Sequence, residues 1–387
     1  MGRVVNPRLR AFAEDDEPVR YDEELEVYVV SSHEAARTVL NDPGFVTDRL
    51  DSLLPRLGGL DEPPSSLNAM LQMFMDGPAH DRFRLAVSRD LAPKRVDEMR
   101  PRIGAIVDAA LDGVADRPAF DVVADVAYPV TIGVIAELLG IGVAGARALL
   151  GFASRISAVL ELRPTERQLL DAGDAVRGCA LFLLPLLPGR RANPGRDLIS
   201  SLVSLEPGGE PLPVDELLTM IVQILVAGHE PPAHLIANGA LDLLGHPAEL
   251  RRMRSKPGLA ASAVEEVLRL GSPIGYLSRT ATRDTVLAGT PVRKGSRLVL
   301  DLTAANRDPA RYDDPDRFDI LRPDPGHLSF GGGGHCCIGR ALGRVEAEET
   351  LRRLFGRFPD LALDGEDLTR RASAAFHALD RLPVRRT

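Results

Sequence analysis

A run of four glycines that leads into a histidine and two cysteines is the feature that most limits what this chain can be. Glycines 331–334 precede His335, Cys336 and Cys337, and a helical pattern follows from residue 338. Because glycine has no Cβ, such a run lets the backbone pass close to a bulky, flat ligand. A cysteine at a helix start lies at the positive end of the helix dipole, which favours its thiolate, and a thiolate binds soft metal centres. The stretch therefore predicts a site in which a cysteine holds a metal.

Other interpretations of this stretch account for less of it. Zinc requires four ligands, usually from paired motifs, and no such set converges in the sequence. A phosphate-binding loop requires Lys and then Ser or Thr where this chain has Arg340 and Ala341. Two unreactive cysteines packed at a helix start would not require four glycines in front of them.

The composition is that of a globular protein with a substantial core. Of the 387 residues, 44% are hydrophobic and 26% are charged, and no clear linker divides the chain, so we expect one domain over 1–387. The net charge of −8 argues against a nucleic-acid-binding protein. Three cysteines, two of them adjacent, give no disulfide framework, and the first residues contain no signal peptide or membrane anchor. We expect a cytoplasmic protein without membrane contact.

Helical periodicity dominates the chain. The longest predicted helix runs from 213 to 244, another from 259 to 270, and a third from 338 to 358 behind the cysteines. Short alternating segments, such as 278–281 and 297–302, are typical of small strands. The pattern predicts a mainly α protein with small β sheets.

Several polar pairs have ordinary structural explanations when they are taken alone. The segment 229–234 is similar to the HExxH zinc motif, but its second histidine comes one residue too late and two prolines intervene. Glu266 and Arg269, at i and i+3, could be a surface ion pair, and His80 and Arg84 could lie on a solvated helix face.

In combination, these residues resemble the cytochrome P450 superfamily. The motif Phe330-Gly331-x-Gly333-x-His335-x-Cys337-x-Gly339 resembles its haem-binding signature position for position, and Glu266-x-x-Arg269 lies upstream at the expected distance. The resemblance covers nearly the whole chain. It extends to segments that are similar to the oxygen-binding motif, the loop before the meander and the meander: 227–230, 304–309 and 314–318.

The resemblance implies a cytochrome P450 fold in which one large domain encloses haem b, iron protoporphyrin IX. It makes Cys337 the axial thiolate and the metal ligand, as is usual in this family, whereas Cys336 occupies a variable position. The other residues implied around the cofactor are His80, Arg84, Arg279 and His335 at the propionates, with Phe330, Gly331 and Gly339 in the signature. A buried ion-pair network is also implied, formed by Glu266, Arg269 and Arg317.

One position departs from the family pattern. After the acid Glu230 the family usually has Thr, whose hydroxyl helps to deliver protons, but this chain has Pro231. These two residues, with Ala227 and Gly228, occupy the catalytic positions implied by the resemblance. Proline has no N–H to donate back along the helix, so we expect the helix to kink or open there. Either the proline only fixes a bend that the family already has, or proton delivery is rerouted through Glu230 and water or through a substrate hydroxyl.

The same alignment implies which residues contact the substrate, although Met and aromatic residues at such spacings are also common in a plain core. The implied residues are Met70, Met73, Phe74, Gln223, Val226, Ile274, Tyr276, Leu277 and Phe376.

These features predict a haem-thiolate oxidoreductase that uses O2 and external electrons to hydroxylate a small organic molecule regioselectively, in natural-product biosynthesis. Pro231 favours an alternative, oxidative C–C, aryl or phenol coupling of an aromatic or peptide-like substrate; a non-catalytic haem protein is the alternative of another class. Because no flavin or nicotinamide motif occurs, a ferredoxin and its reductase are the implied electron donors. Lys94, Arg95, Arg340 and Arg344 are the implied docking patch, with a solvated basic face as the ordinary explanation.

Overall fold

The computed structural model describes residues 17–47, 76–206, 211–365 and 368–387. The chain is mainly α with small β sheets, as the periodicity predicted. Its described helices are α1 (His33–Asn41), α2 (Pro78–Ser88), α3 (Pro93–Asp112), α4 (Tyr128–Leu139), α5 (Gly142–Ser157), α6 (Glu166–Leu183), α7 (Leu187–Ala192), α8 (Leu198–Val203), α9 (Val214–Ala227), α10 (Glu230–Gly245), α11 (Pro247–Ser255), α12 (Ala260–Leu270), α13 (Leu302–Ala305) and α14 (Arg340–Arg357). Its described strands are β1 (Val19–Asp22), β2 (Val27–Val30), β3 (Phe45–Val46), β4 (Ala119–Asp121), β5 (Tyr276–Ala281), β6 (Thr285–Leu287), β7 (Thr290–Val292), β8 (Arg297–Asp301), β9 (Leu361–Leu363) and β10 (Pro383–Arg386).

The chain separates into two compact units. Unit one contains Met1–Thr47, Val107–Ala127 and Pro231–Thr387, and unit two contains Asp48–Ile106 and Tyr128–Glu230. The expectation of a single domain stays a prediction.

Unit one is built on a five-stranded sheet with the order β1-β2-β8-β5-β3. Its neighbouring strands are antiparallel except β2 and β8, which run parallel with Val29 opposite Val299. Buried Val, Leu and Ala side chains from the sheet pack on α1, whose first turn is capped by Ser32 through the Ala35 N–H. Strand β5 carries several of the predicted site residues and is therefore held in place as one of the strands of this sheet.

Two smaller sheets and three packed helices complete the described part of unit one. The smaller sheets have the orders β4-β10-β9 and β6-β7. Gly239 on α10 lies so close to α14 that a Cβ built there would come within 2.7 Å of Leu351 and 3.5 Å of Val267. Helices α10, α12 and α14 therefore pack closely, and α12 and α14 carry the residues that surround the cysteine loop.

Unit two is helical, and two of its helices begin at side-chain caps. At the start of α6, Thr165 and Gln168 form a capping box, and Asp197 caps α8 through the Ser200 N–H. A short π-helix, Val122–Ala127, leads from unit one into α4. The apolar faces of α4, α5 and α9 are buried, which accounts for the helical periodicity of this region.

The predicted long helix at 213–244 is two helices. Helix α9 ends at Ala227 with Gly228 as its C-cap, and α10 begins at Glu230. Pro231 and Pro232 lie in the first turn of α10, where a proline is tolerated because its missing N–H would have no partner within the helix. The expectation that the helix opens at this point is therefore correct.

Three of the predicted substrate contacts lie outside the described residues: Met70, Met73 and Phe74.

Two described stretches, Val122–Leu139 and Gly142–Leu160, are long and apolar enough to cross a membrane. However, 67% of the first and 39% of the second are buried inside the protein. Because core helices have the same properties, these stretches are weak support for a membrane span.

Candidate functional site

The cysteine loop of unit one presents Cys337 at its exposed end. The Cys337 N–H donates to the Phe330 carbonyl at 2.8 Å, and the Gly331 N–H donates to the Leu328 carbonyl at 2.8 Å. Gly331 and Gly333 have φ values of +68° and +60°, which L side chains rarely adopt. The loop is thus a closed turn that holds an exposed cysteine in front of α14.

Cys336 has a different environment from Cys337. It is half-buried, and the Arg340 guanidinium donates to its sulfur at 3.4 Å, whereas Cys337 is exposed. The two adjacent cysteines are therefore distinguished by their surroundings.

Buried hydrogen bonds fasten the start of the loop to α12. The Ser329 hydroxyl donates to the Leu268 carbonyl at 2.6 Å and accepts from the Asn306 amide at 2.9 Å. Asn306 also accepts from the Leu328 N–H at 2.8 Å, and its side chain is fully buried. These bonds fix the loop in the low-dielectric interior, where a hydrogen bond is strong.

Glu266 and Arg269 form a buried ion pair, with 1% and 0% of their side chains exposed. Arg269 donates to both carboxylate oxygens of Glu266, at 2.9 and 2.8 Å. Its remaining N–H groups donate to carbonyls of the following loop, those of Asn306, Pro315 and Arg317. All five guanidinium donors are satisfied, which is what makes a buried arginine tolerable.

The predicted role of Arg317 in this network needs a correction. Its side chain is 61% exposed and pairs with Asp314 and Asp319, so only its backbone carbonyl meets Arg269. The second arginine at Glu266 is Arg322, which is 10% exposed and lies 3.3 Å from the carboxylate. Sequence alone did not identify Arg322, because the two residues are 56 positions apart.

The predicted propionate partners fall in both units. In unit one, Arg279 is buried on β5 and donates to the Ser278 carbonyl at 2.8 Å, and His335 is half-buried in the cysteine loop. In unit two, His80 and Arg84 lie one turn apart on α2, and His80 contacts Asp81 at 3.3 Å.

The predicted substrate residues of unit one lie on two segments that meet. Ile274 and Phe376 form an isolated β-bridge, and Tyr276 and Leu277 follow on β5. The Phe376 ring lies 5.7 Å from the ring of His234, which is buried on α10. In unit two, the remaining predicted contacts are buried on α9: Gln223 and Val226.

Two hydroxyl groups hold the acid and the histidine that follow α9. The Ser154 hydroxyl on α5 donates to the Glu230 carboxylate at 3.0 Å. Thr131 on α4 lies 3.1 Å from the His229 ring nitrogen Nδ1, and its hydroxyl is also 3.2 Å from the Tyr128 carbonyl. Both His229 and Glu230 are buried. Sequence spacing carried no signal for these two partners, because Ser154 and Glu230 are 76 positions apart and Thr131 and His229 are 98 apart.

Gly228 is required for the close approach between α4 and the end of α9. A Cβ at this position would lie 2.4 Å from the Ile135 side chain. The glycine therefore lets the chain turn from α9 toward Glu230 while it stays packed on α4.

Comparison with known proteins agrees with this fold. A family model described as Cytochrome P450 matches residues 189–368. The 6-deoxyerythronolide B hydroxylase of Saccharopolyspora erythraea is 35% identical over 377 residues, which cover 95% of this chain and 92% of that protein.

Two solved structures have the same fold. P450BioI, solved with an acyl carrier protein ligated to hexadec-9Z-enoic acid, matches with a TM-score of 0.88 and 30% identity, covering 98% of this chain and 96% of that one. CxnD, described as the cytochrome P450 enzyme for C–S bond formation in chuangxinmycin biosynthesis, matches with a TM-score of 0.83 and 31% identity, covering 92% and 88%.

This chain belongs to the cytochrome P450 family. It is an oxidoreductase that uses haem b, acts on a small molecule and needs redox partners.

The described residues of unit one fit a haem. Cys337 offers an exposed thiol, the kind of ligand that soft metal centres bind. A Cβ at Gly331 would fill the space beside Leu277, 3.3 Å from its side chain, so the glycine keeps that space open. Leu277 and Arg279 share one face of β5, which puts a buried cation on the face that the loop approaches.

Proposed function

We propose that this enzyme inserts one atom of O2 into a small organic molecule of natural-product biosynthesis, with regioselectivity. The balanced reaction converts R–H, O2, two electrons and two protons into R–OH and water. The observation that carries the proposal is the cysteine loop, in which an exposed Cys337 stands on a turn closed by its own N–H and the Phe330 carbonyl.

In this proposal the Cys337 thiolate would hold the haem iron, and Phe330, Gly331 and Gly339 would form the loop beside it. When bound, the haem activates O2, and the thiolate pushes electron density that favours O–O cleavage. Arg279 and His335, with His80 and Arg84 of unit two, hold the acidic propionates through charge-assisted hydrogen bonds. Glu266 and Arg269 keep the fold around the loop and take no part in the chemistry.

Proton supply is assigned to Glu230. Its Oε1 accepts a hydrogen bond from Ser154, which positions the carboxylate that receives and passes on a proton in this proposal. Pro231 contributes no hydroxyl, so water or a substrate hydroxyl takes the place of the usual Thr. Ala227 and Gly228 end α9 beside this acid.

The substrate is assigned to the residues of β5 and of the C-terminal turn, Ile274, Tyr276, Leu277 and Phe376, with Gln223 and Val226 of α9. Gln223 is the one amide among them and would hydrogen-bond a polar group of the substrate. Met70, Met73 and Phe74 complete the proposed set.

Electrons are proposed to come from a ferredoxin and its reductase in the cytoplasm. Lys94, Arg95, Arg340 and Arg344 supply the positive charges for an acidic donor, whose encounter rate should fall as salt is added.

A second reaction is favoured by Pro231. Oxidative coupling converts R–H, R′–H, O2, two electrons from the donor and two protons into R–R′ and two waters. In such a reaction the substrate itself supplies hydrogen atoms. The reaction therefore depends less on a hydroxyl at position 231. A solved relative, CxnD, is described as forming a C–S bond.

Product mass separates the two reactions. The purified enzyme is supplied with a ferredoxin, its reductase and a panel of aromatic, peptide-like and macrocyclic compounds, in 18O2. A gain of one labelled oxygen supports hydroxylation, and a loss of two hydrogens without label supports coupling. The absence of turnover across substrates that bind and shift the haem spectrum would contradict both.

A further inference from the structure

The Phe330 ring lies between two side chains from different parts of unit one. The Arg344 guanidinium of α14 sits 4.5 Å from the ring centroid, well within cation–π distance. The His327 ring lies 5.7 Å away at an angle of 53°. We call Phe330, Arg344, His327 and their shared partner Glu265 the Phe330 clamp.

Glu265 on α12 holds Arg344 in a two-point ion pair. The Arg344 Nε donates to one carboxylate oxygen at 2.6 Å, and Nη2 donates to the other at 3.0 Å. Such a planar fork sets the orientation of the guanidinium as well as its position. Burial would raise the pKa of Glu265, but hydrogen bonds from His327 and Arg344 lower it to about 2, so the carboxylate is charged at neutral pH.

His327 completes the clamp from the loop itself. Its Nδ1 accepts the Ser329 N–H at 3.3 Å, so in the neutral ring the proton is on Nε2. Nε2 lies 3.4 Å from a Glu265 carboxylate oxygen, and the side chain is 4% exposed. Glu265 therefore organises both neighbours of the Phe330 ring.

The clamp acts on the residue that fixes the cysteine, because the Phe330 carbonyl accepts the Cys337 N–H at 2.8 Å. We propose that Arg344, held by Glu265, is a positioning residue for Phe330 and through it for Cys337, and that it thereby tunes the reduction potential of the haem. This inference rests on Cys337 being the haem ligand, as proposed above.

Two effects of Arg344 on the potential have opposite signs, which makes the inference testable. As a plain charge, Arg344 favours the reduced haem, so its loss would lower the midpoint potential. As a positioning residue, it keeps Phe330 and Cys337 in place. Its loss lets water or further N–H donors reach the sulfur, which withdraws electron density and raises the midpoint.

The experiment is a dye-mediated spectroelectrochemical titration of the holoenzyme without ferredoxin, so that docking does not enter. We expect Arg344→Gln and Glu265→Gln both to raise the midpoint. The ratio of reduced to oxidised haem at a fixed potential should change at least threefold, which is about 30 mV at 59 mV per tenfold for one electron. Arg344→Lys keeps the charge but loses the two-point fork, so it should shift in the same direction.

Arg357→Gln is the matched control, because Arg357 is also on α14, lies over Phe358 at 6.0 Å and pairs with Asp112 at 2.6 Å. It should leave the midpoint unchanged. A merely structural role would lower the melting temperature of the variants without moving the midpoint.

The inference is overturned if Arg344→Gln lowers or does not move the midpoint, or if Arg344→Lys behaves as the wild type. Since Arg344 is 35% exposed at its side chain, its variants test the inference even if Glu265→Gln does not fold. Failure of the proposed ligand is a separate outcome, because the wild type would then lack thiolate-type absorption in its reduced carbon-monoxide complex.

Discussion

The cysteine loop of unit one and the segment after α9 in unit two are held by different kinds of contact. Around the loop, buried hydrogen bonds and an ion pair join Arg269 to Glu266 and Ser329 to Asn306 and the Leu268 carbonyl. After α9, the Thr131 hydroxyl contacts the His229 ring, and the Ser154 hydroxyl donates to the Glu230 carboxylate. The loop also matches the family signature, whereas the segment departs from it at Pro231. We therefore expect substitutions near the cysteine to affect folding and haem binding, and substitutions near Glu230 to affect the reaction.

The largest expected effect separates the two cysteines of the loop. Cys337→Ser should abolish the thiolate-type absorption of the reduced carbon-monoxide complex, because a hydroxyl does not replace a thiolate ligand. Cys336→Ser is the control and should retain that absorption, since Cys336 contacts Arg340. Retention in Cys337→Ser would refute the ligand assignment.

The next prediction concerns how much the buried ion pair beside the cysteine loop contributes to the stability of the fold. Arg269→Met removes the two-point partner of the buried Glu266 and leaves it only the longer contact with Arg322, so we expect a loss of about 3–5 kcal/mol in the free energy of unfolding. Arg317→Gln should change it by less than about 0.5 kcal/mol, because that side chain is exposed. Chemical denaturation followed by circular dichroism measures both. Equal losses in the two variants would mean that Arg317 belongs to the network after all.

A smaller effect is expected at the acid after α9. Glu230→Gln removes the proton donor and should lower the rate of product formation by about 100-fold, the lower end of what a general acid contributes. Ser154→Ala leaves the carboxylate but removes its hydrogen bond, so the loss should stay below about tenfold, consistent with one neutral bond. Steady-state turnover and solvent isotope effects provide the measurement. If Ser154→Ala equals Glu230→Gln, the hydroxyl itself passes the proton.

The smallest effect concerns the helix behind the loop. Glu346 on α14 is 1% exposed, and within the described residues neither carboxylate oxygen has a hydrogen-bond partner. Burial therefore raises its pKa well above the usual value. The folded protein holds this proton more tightly than the unfolded chain does. Stability should fall by about 1.4 kcal/mol per pH unit as the pH rises from about 4.5 toward the folded pKa.

Glu346→Gln should remove that pH dependence, which unfolding experiments between about pH 5 and 7 would detect. Glu348→Gln, a half-buried position on the same helix, is the control and should follow the wild type. A pH dependence that survives in Glu346→Gln must come from another group.

Local patterns predicted the parts of the fold that are local. The helix periodicity and the opening at Pro231 depend on residues within a few positions of each other. The sheet of β4, β9 and β10 was not predicted, because its strands have three or four residues and pair across most of the chain, with Val384 opposite Phe120.

In the candidate site too, only patterns of neighbouring residues could be predicted from the sequence. The cysteine motif and Glu266-x-x-Arg269 are short patterns and could be found in the sequence. The partners Arg322, Ser154 and Thr131 could not, because each reaches its target from a distant segment. Arg317 was assigned to the network from its place in a motif, but the motif supplies its carbonyl and leaves the guanidinium in solvent.

The four glycines also differ in what they allow an experimenter to attach. At Gly333 a Cβ would lie 2.3 Å from the Leu40 carbonyl, and the backbone is left-handed, so substitution there should disrupt the loop. At Gly334 nothing in the described structure lies within 4 Å of a built Cβ. Among the described protein atoms, Gly334 therefore leaves room for a side chain that carries a reporter, whereas Gly333 does not.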